Sequence, residues 1–272
     1  MTTSILVTGG TGTLGRPVAQ RLRDAGASVT VLSRHPWETA EGIRYTAGDL
    51  STGKGVEAAA RGAEVIVHAA SGRTGDEQKT RTLVSAAKDA RHIVLISVVG
   101  ADRIPQVSVL DRAFFGYFGM KLATERVLEQ SGIAWTTLRA TQFHDLILMV
   151  ARGLAKLPAI PAPTGSRFQP VDATEVAGRM AELALGEPSG LVPDLAGPKI
   201  YTVAELVNSY FSAVGKRRPL VPVRIPGQAA GALRAGANLA PDRAVGKRTW
   251  EEFLADRTRW HPERPDPEQL SR

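Results

Sequence analysis

The fold of this 272-residue chain follows from the stretch Thr8-Gly9-Gly10-Thr11-Gly12-Thr13-Leu14-Gly15. An apolar run typical of a short buried strand, Ile5-Leu6-Val7, precedes it, and a helical pattern from Arg16 to Ala25 follows it. A glycine-rich turn between a strand and a helix is typical of phosphate binding, because the free N–H groups at the helix start favour anions. The stretch therefore predicts a dinucleotide site at the first strand-to-helix turn.

The glycines of this turn have separate predicted roles. Gly9 allows a tight turn with unusual backbone angles. Gly12 lets a pyrophosphate approach the backbone, and Gly15 lets the helix pack close to the strand. The residues that we predict to bind the cofactor here are Gly9, Thr11, Gly12, Thr13, Leu14 and Gly15.

Strand and helix patterns alternate along the first half of the chain. We predict strands at 5–7, 28–32, 43–46, 63–70, 92–97 and 134–139. This alternation predicts an α/β fold, a doubly wound parallel (Rossmann) sheet with a small C-terminal substrate-binding region. The predicted units are an NADP-binding core at 1–140, a smaller substrate-binding region folded against it at 141–260, and a mobile tail at 261–272.

The end of the second predicted strand indicates which cofactor is bound. An acidic residue at this position would bind the adenosine ribose 2′-hydroxyl, whereas an arginine accepts a 2′-phosphate. The chain has Arg34 there, with Ser33 as a second donor. Guanidinium–phosphate pairing is bidentate and charge-assisted, so the pattern favours NADP(H). The alternative is a surface arginine without a ligand.

The next two strand ends add further candidate cofactor contacts. Asp49, followed by Leu50, would contact the adenine amino group, or it would cap the helix that contains residues 56–60. The small residues Ala69, Ala70 and Ser71 would let the cofactor lie across the sheet edge. His68 is interpreted as a packed strand residue rather than a catalyst.

Composition narrows the possible partners. The chain has no cysteine, which excludes disulfides and thiolate zinc sites, and its five histidines are dispersed without metal-ligand spacing. Its net charge of +7 comes from scattered arginines, which favours a solvated surface and an anionic cofactor over nucleic acid. No apolar run is long enough to span a bilayer, and no signal peptide is evident. We expect a cytoplasmic monomer or homodimer with a small-molecule substrate.

Together these residues resemble the atypical, NmrA-like branch of the short-chain dehydrogenase/reductase superfamily. The resemblance runs from Ile5 to about Leu254. It implies a seven-stranded dinucleotide-binding sheet with a small C-terminal substrate region. The segments that carry it are the glycine-rich turn, Gly48-Asp49-Leu50, 92–100, 138–145 and 249–254.

The resemblance also implies a reductive site. The family uses a serine, a tyrosine and a lysine four residues after the tyrosine, and Ser97, Tyr117 and Lys121 match these positions. Residues four apart share one face of a helix. Tyr117 would donate a proton to the substrate oxygen, and Ser97 would orient that oxygen. Lys121 would favour the ionised tyrosine and hold the nicotinamide ribose.

The residues around Tyr117 leave a second interpretation open. Gly116 and Gly119 are poor helix formers, so a helix is expected only from Lys121 onward. Residues 104–120 would then form a flap over the nicotinamide, in which Tyr117 only packs. An alternative for His144 is a helix start with a solvated face. The predicted substrate-pocket residues are Phe114, Phe118, Gln142, Phe143 and His144.

Three functions are compatible with these patterns. The leading hypothesis is an NADPH-dependent reductase of a carbonyl or quinone on a small aromatic molecule, such as a tailoring ketoreductase. The second is an NADP(H)-binding redox sensor without turnover. The third, a nucleotide-sugar epimerase or dehydratase, is disfavoured by the short chain and its small substrate region.

Overall fold

The computed structural model describes residues 2–35, 38, 42–72 and 74–258. The predicted mobile tail lies outside these residues. The strands are β1 (Ser4–Thr8), β2 (Ser28–Ser33), β3 (Arg44–Ala47), β4 (Val65–His68), β5 (His92–Val98), β6 (Trp135–Ala140), β7 (Ile160–Pro163), β8 (Arg167–Phe168), β9 (Gly190–Leu191), β10 (Tyr201–Thr202) and β11 (Leu220–Val223). The α-helices are α1 (Gly15–Asp24), α2 (Val56–Ala60), α3 (Asp76–Ala86), α4 (Val109–Glu129), α5 (His144–Leu154), α6 (Ala173–Leu185), α7 (Val203–Ala213), α8 (Gln228–Arg234) and α9 (Trp250–Thr258).

The central sheet has seven parallel strands in the order β3-β2-β1-β4-β5-β6-β9. The chain runs outward from β1 in one direction through β2 and β3, and in the other through β4, β5 and β6. The strand order therefore reverses between β1 and β4. Ligands of doubly wound sheets bind beside the carboxyl ends of the strands at such a reversal. The predicted α/β Rossmann fold is confirmed.

Helices cover both faces of the sheet, which explains its apolar strands. Every residue of β4 and β5 is buried, as expected for strands packed on two sides. On one face Val18 and Leu22 of α1 and Met180 of α6 join the core. On the other face Leu83 of α3 and Leu128 of α4 do so. Within the described ranges, no helix has the length and apolar character needed to cross a membrane.

The structure differs from the predicted boundary at residue 140. Strand β9 pairs with β6 as the seventh strand, and α6 packs its buried face into the same core as α1. Both elements follow residue 140, so the sheet layer takes part of its structure from the predicted substrate-binding region. A two-residue strand such as β9 has too short a pattern to be detected in the sequence.

The remaining C-terminal elements form their own small core. It contains residues of α5, α7 and α9, with Trp250 fully buried. Reciprocal capping boxes start α7 at Thr202/Glu205 and α9 at Thr249/Glu252. The proline-rich segment 158–163 has the composition of a loop, but β7 pairs with β11 there. A two-stranded ribbon leaves one edge of β7 unpaired, where proline is tolerated.

Helix α4 is the largest departure from the predicted structure. It begins at Val109, twelve residues before the predicted start, because Ser108 and Asp111 form a capping box. The flap predicted for 104–120 is therefore wrong over most of its length. Gly119 is needed for packing, since a Cβ there would lie 2.8 Å from the Cγ of Gln106. Helix α4 thus continues through Gly116 and Gly119 despite their low helix propensity.

A buried ion pair ties α4 to the sheet. Nε and Nη2 of Arg139 on β6 donate to the two carboxylate oxygens of Glu125, at 2.9 and 2.7 Å, and Glu125 is 2% exposed. The half-exposed Asp102 accepts from the same guanidinium at 2.8 Å. The pair fixes the inner half of α4 against β6.

Glu125→Ala is expected to lower the free energy of unfolding by about 3 kcal/mol. Removing one partner of a buried pair costs about 3–5 kcal/mol, and Asp102 still compensates part of the charge. Urea unfolding measures the loss. Glu77→Ala removes an exposed pair to Arg81 and should cost about 0.5 kcal/mol. Equal losses in the two variants would contradict the anchoring role of Glu125.

Candidate functional site

The glycine-rich turn packs tightly against β4. Gly9 has a φ of +71°, and a Cβ on it would lie 2.6 Å from the backbone nitrogen of Ala70. A Cβ on Gly15 would lie 2.1 Å from the carbonyl oxygen of Gly9. These two positions therefore accept only glycine. The small residues Ala69 and Ala70 are needed because the turn lies directly against them.

Gly12 differs from the other two glycines. A Cβ there would meet only the carbonyl oxygen of Gly9, at 3.3 Å, so the space above the turn is open. Helix α1 begins behind it without a capping side chain and without an acidic residue in its first turn. Such a helix start leaves N–H groups for an anion. The turn fits a pyrophosphate, as the sequence predicts.

The end of β2 presents Arg34 to solvent. The side chain is exposed and forms no ion pair with any residue that the structure describes. Ser33 is buried, and its hydroxyl accepts a hydrogen bond from the backbone nitrogen of His35 at 3.3 Å. Arg34 is therefore available to a phosphate, while Ser33 shapes the turn.

Asp49 does not cap α2. Its carboxylate accepts a hydrogen bond from the backbone nitrogen of Ser51 at 2.8 Å, and Gly55 occupies the N-cap position. The capping alternative is wrong because the chain turns once more before the helix starts. Leu50 is buried in the core beneath α2, so its side chain supports this loop from below. The adenine contact of Asp49 stays a prediction.

His68 at the end of β4 is a packed residue, as predicted. Its ring is buried between the hydroxyls of Thr8, at 2.7 Å, and Thr80, at 3.0 Å. Burial, together with the nearby Lys121 ammonium, lowers the pKa of His68 to about 3. The ring is neutral at physiological pH and joins β1, β4 and α3.

Asp76 is a site residue that the sequence analysis missed. It is 1% exposed, and its carboxylate lies between Ser71, whose hydroxyl donates at 2.7 Å, and Lys121, whose Nζ is 3.5 Å away. The backbone nitrogen of Gly72 and Nζ of Lys79 also donate to it, at 2.9 and 3.3 Å. The sequence does contain a signal for this residue: Asp76 is acidic, lies in the first turn of α3, and closely follows the small residues 69–71 at the end of β4.

Tyr117 and Lys121 do share one face of α4. The Lys121 Nζ lies 5.7 Å from the centre of the Tyr117 ring. The Tyr117 side chain is 44% exposed. Desolvation of its hydroxyl and the nearby Asp76 carboxylate nevertheless raise its pKa to about 12. A hydrogen bond with Ser71 lowers this pKa and only partly offsets the rise. The surroundings therefore raise the pKa of Tyr117, whereas the neighbouring Lys121 was expected to favour its ionised form. Tyr117 is a protonated phenol at neutral pH.

Lys121 is buried beside its counter-ion. It is 2% exposed, and desolvation lowers the pKa of its ammonium, whereas the Asp76 carboxylate opposes that shift. An ammonium buried without a partner would be costly. The contact with Asp76 explains how a lysine occupies this position. Its predicted contact with the nicotinamide ribose stays a prediction.

Two buried polar groups lie unpartnered at the carboxyl ends of neighbouring strands. The hydroxyl of Ser97 on β5 and the amide of Gln142, two residues after β6, make no hydrogen bond with the described residues. Buried polar atoms in native proteins nearly always have partners. Their position at the ligand-binding edge of the sheet fits polar contacts to a bound molecule.

The aromatic residues predicted for the substrate pocket separate into different places. Phe114 is 63% exposed on α4, whereas Phe118 is buried against Val98, Ile104 and α8. Phe143 is half-buried against the main core. The structure thus leaves Phe114, and not Phe118, open to a ligand.

His144 does not line an open pocket. It is fully buried, with its ring 5.0 Å from that of Phe253 and 5.9 Å from that of Trp250. Burial lowers its pKa to about 4. Helix α5 does begin at His144, but its side chain points into the C-terminal core, so the predicted solvated face is wrong as well. Trp250 and Phe253 on α9 are distant from His144 in the sequence, so their contacts with its ring depend on tertiary structure.

Known structures share this architecture. The chain is similar to an NADPH-dependent quinone oxidoreductase from Escherichia coli, with a TM-score of 0.77, 19% identity, and coverage of 93% of this chain and 99% of that one. It is also similar to the triphenylmethane reductase of Citrobacter sp., with a TM-score of 0.72, 20% identity, and coverage of 94% and 99%. A nucleoside-diphosphate-sugar epimerase from Staphylococcus aureus reaches 0.72 as well, at 18% identity over 93% of this chain and 100% of that one. Similarity at this level establishes the fold and leaves the reaction open.

Sequence relatives lie somewhat closer. A (4-alkanoyl-5-oxo-2,5-dihydrofuran-3-yl)methyl phosphate reductase from Streptomyces griseus is 27% identical over 79% of this chain and 75% of its own length. An NAD(P)H azoreductase from Xenophilus azovorans is 27% identical over 78% and 74%. Residues 9–147, more than half of the chain, match the NAD(P)H-binding family. This match covers the turn, β4 and the Tyr117–Lys121 pair, and the chain belongs to the NAD(P)H-binding family.

Proposed function

We propose that the protein is an NADPH-dependent reductase that transfers hydride to a carbonyl or quinone of a small aromatic molecule. One observation supports this most strongly. The strand end packed against the glycine-rich turn continues into Ser71, which hydrogen-bonds Asp76, the counter-ion of Lys121. The Tyr117–Lys121 pair is therefore linked to the cofactor turn through Asp76 and Ser71.

The chain's own residues supply the proton and the orientation. When bound, NADPH supplies the hydride. Tyr117 retains its proton at neutral pH and donates it to the substrate oxygen, which acquires negative charge in the transition state. Ser97 offers a buried hydroxyl without a partner among the described residues, and it would orient that oxygen. The Lys121 ammonium then stabilises the tyrosinate that is left behind.

Helix α4 supports an apolar, aromatic substrate. Leu110 and Phe114 are 51% and 63% exposed, and they precede Tyr117 by seven and three residues on the same side of the helix. The three side chains form a stripe of about 10 Å along α4. Several similar proteins are named as reductases of azo compounds, triphenylmethane dyes or quinones. A planar ring system fits such a stripe.

The direct test is NADPH consumption with a panel of quinones and aromatic ketones, followed by product analysis. Turnover with formation of an alcohol or hydroquinone is the expected result. Tight NADPH binding without consumption across the panel would contradict the proposal and favour a redox sensor. Isomerisation of an added nucleotide sugar without net oxidation or reduction of the cofactor would instead favour an epimerase.

Preference for NADPH over NADH is expected to depend on Arg34. Its exposed guanidinium lacks an ion-pair partner among the described residues, so it is available to the 2′-phosphate. Charge-assisted hydrogen bonds contribute about 1.5–3 kcal/mol, so Arg34→Ala should weaken NADPH binding by about 10- to 150-fold and leave NADH binding unchanged. Calorimetry with both cofactors measures this. Arg61→Ala, an exposed arginine at the far end of α2, is the control, and equal NADPH and NADH affinities in the parent protein would remove the role of Arg34.

A further inference from the structure

We propose that Asp76 is the positioning residue of the site, which holds the Tyr117–Lys121 pair in its working geometry and charge state. The inference rests on the proposed function for its catalytic meaning. It also makes a claim about the cofactor-free protein that can be measured without turnover.

The geometry makes Asp76 a junction of three elements. Oδ1 accepts from the backbone of Gly72, in the loop after β4, and from Lys79 of the same helix. Oδ2 accepts from Ser71 at 2.7 Å and lies 3.5 Å from Nζ of Lys121 on α4. One carboxylate thus connects the loop beside the glycine-rich turn to the helix that carries the proton donor. Displacing it would move Lys121 relative to the cofactor.

Among the charged groups around Lys121, Asp76 is the carboxylate that is available to balance its charge. Glu125, one turn further along α4, is engaged in the bidentate pair with Arg139. Lys79 is the other cation on Asp76, but it is partly exposed and also donates to the carbonyl of Thr74. His68 below the site is neutral. The fully buried Lys121 therefore depends on Asp76 more than any other group at this site.

The carboxylate acts on both members of the pair in the same direction. Its negative charge opposes loss of the Lys121 proton and opposes ionisation of the Tyr117 hydroxyl. Neutralising Asp76 should lower both pKa values. Tyr117 would then lose its proton, and Lys121 its positive charge, at a lower pH than in the parent protein.

Asp76→Asn tests this, because the amide keeps the size and the acceptor oxygen but removes the charge. In the cofactor-free protein, an ultraviolet titration of tyrosinate is recorded for the parent, Tyr117→Phe, Asp76→Asn and the double variant, so that differences isolate Tyr117. We expect Tyr117 to ionise at least about one pH unit lower without Asp76, a tenfold change in its ionisation constant. The alkaline limb of kcat should shift in the same direction. Asp24→Asn, an exposed carboxylate on α1, is the control and should shift neither.

An unchanged Tyr117 titration in Asp76→Asn would overturn the proposal, even if kcat falls. If Asp76→Asn does not fold, the pair with Lys121→Met decides: rescue of folding by the second substitution supports the counter-ion role, and failure to rescue overturns it. Absence of turnover in the parent protein, together with a shifted titration, would contradict the proposed reductase activity alone.

Discussion

Tyr117→Phe is expected to lower kcat by about 10²- to 10⁴-fold while leaving NADPH affinity nearly unchanged. Acid catalysis by a positioned side chain typically contributes this factor. The substitution retains the ring that packs edge-on against Phe118, at 6.0 Å between ring centres, and removes only the hydroxyl. A single-turnover measurement with the best quinone or ketone of the panel isolates the chemical step.

Three comparisons make this result specific. Tyr210→Phe is the same change in the C-terminal core, and it should leave kcat unaltered. Lys121→Ala should reduce both kcat and NADPH affinity, because the same ammonium would stabilise the tyrosinate and bind the ribose under the proposed function. A loss below about tenfold in Tyr117→Phe, roughly 1.4 kcal/mol in the barrier, would show that Tyr117 is not the proton donor.

Gly12→Val is expected to abolish measurable NADPH binding in a folded protein. A Cβ at this position would meet only the carbonyl oxygen of Gly9, at 3.3 Å, so a small shift accommodates it and the rest of the isopropyl group would enter the open space above the turn. Losing two charge-assisted hydrogen bonds to the pyrophosphate costs about 3–6 kcal/mol, which weakens binding by about 10²- to 10⁴-fold. Calorimetry measures binding, and thermal unfolding verifies the fold.

The neighbouring glycines provide the contrast. Gly15→Val should prevent folding, because its Cβ would overlap the carbonyl of Gly9. Gly153→Val, at a helical glycine with open surroundings on α5, should preserve both fold and binding. Normal binding by Gly12→Val would show that the cofactor lies elsewhere.

The sheet and the cofactor turn could be predicted because their signals are local. Strands buried on both faces are mainly apolar, and valine, isoleucine and leucine predominate in β4 and β5. Gly9 and Gly15 are required by backbone contacts within a few residues or with the adjacent strand end. The glycine-rich turn is therefore recognisable from its sequence, because a side chain at Gly9 or Gly15 would clash with the backbone.

The arrangement around Tyr117 could not be predicted in the same way. Helix α4 contains two glycines, and the close approach of the Gln106 side chain to Gly119 is a tertiary contact that the local sequence does not indicate. Asp76 is separated from Lys121 by an entire strand and loop, so their ion pair depends on tertiary structure. The pKa of Tyr117 is raised by desolvation and by the Asp76 carboxylate. Neither effect can be inferred from the four-residue spacing between Tyr117 and Lys121.

Helix α4 has an exposed outer half and a buried inner half, and this division has a consequence for how the activity can diversify. Leu110 and Phe114 lie at the surface, where substitutions usually change stability by less than about 0.5 kcal/mol. Lys121 and Glu125, one and two turns beyond Tyr117, are locked into ion pairs. Under the proposed function, mutation of these outer residues would change the substrate range at little cost in stability. Laboratory evolution directed at these two positions should recover variants with altered substrates and an intact proton donor.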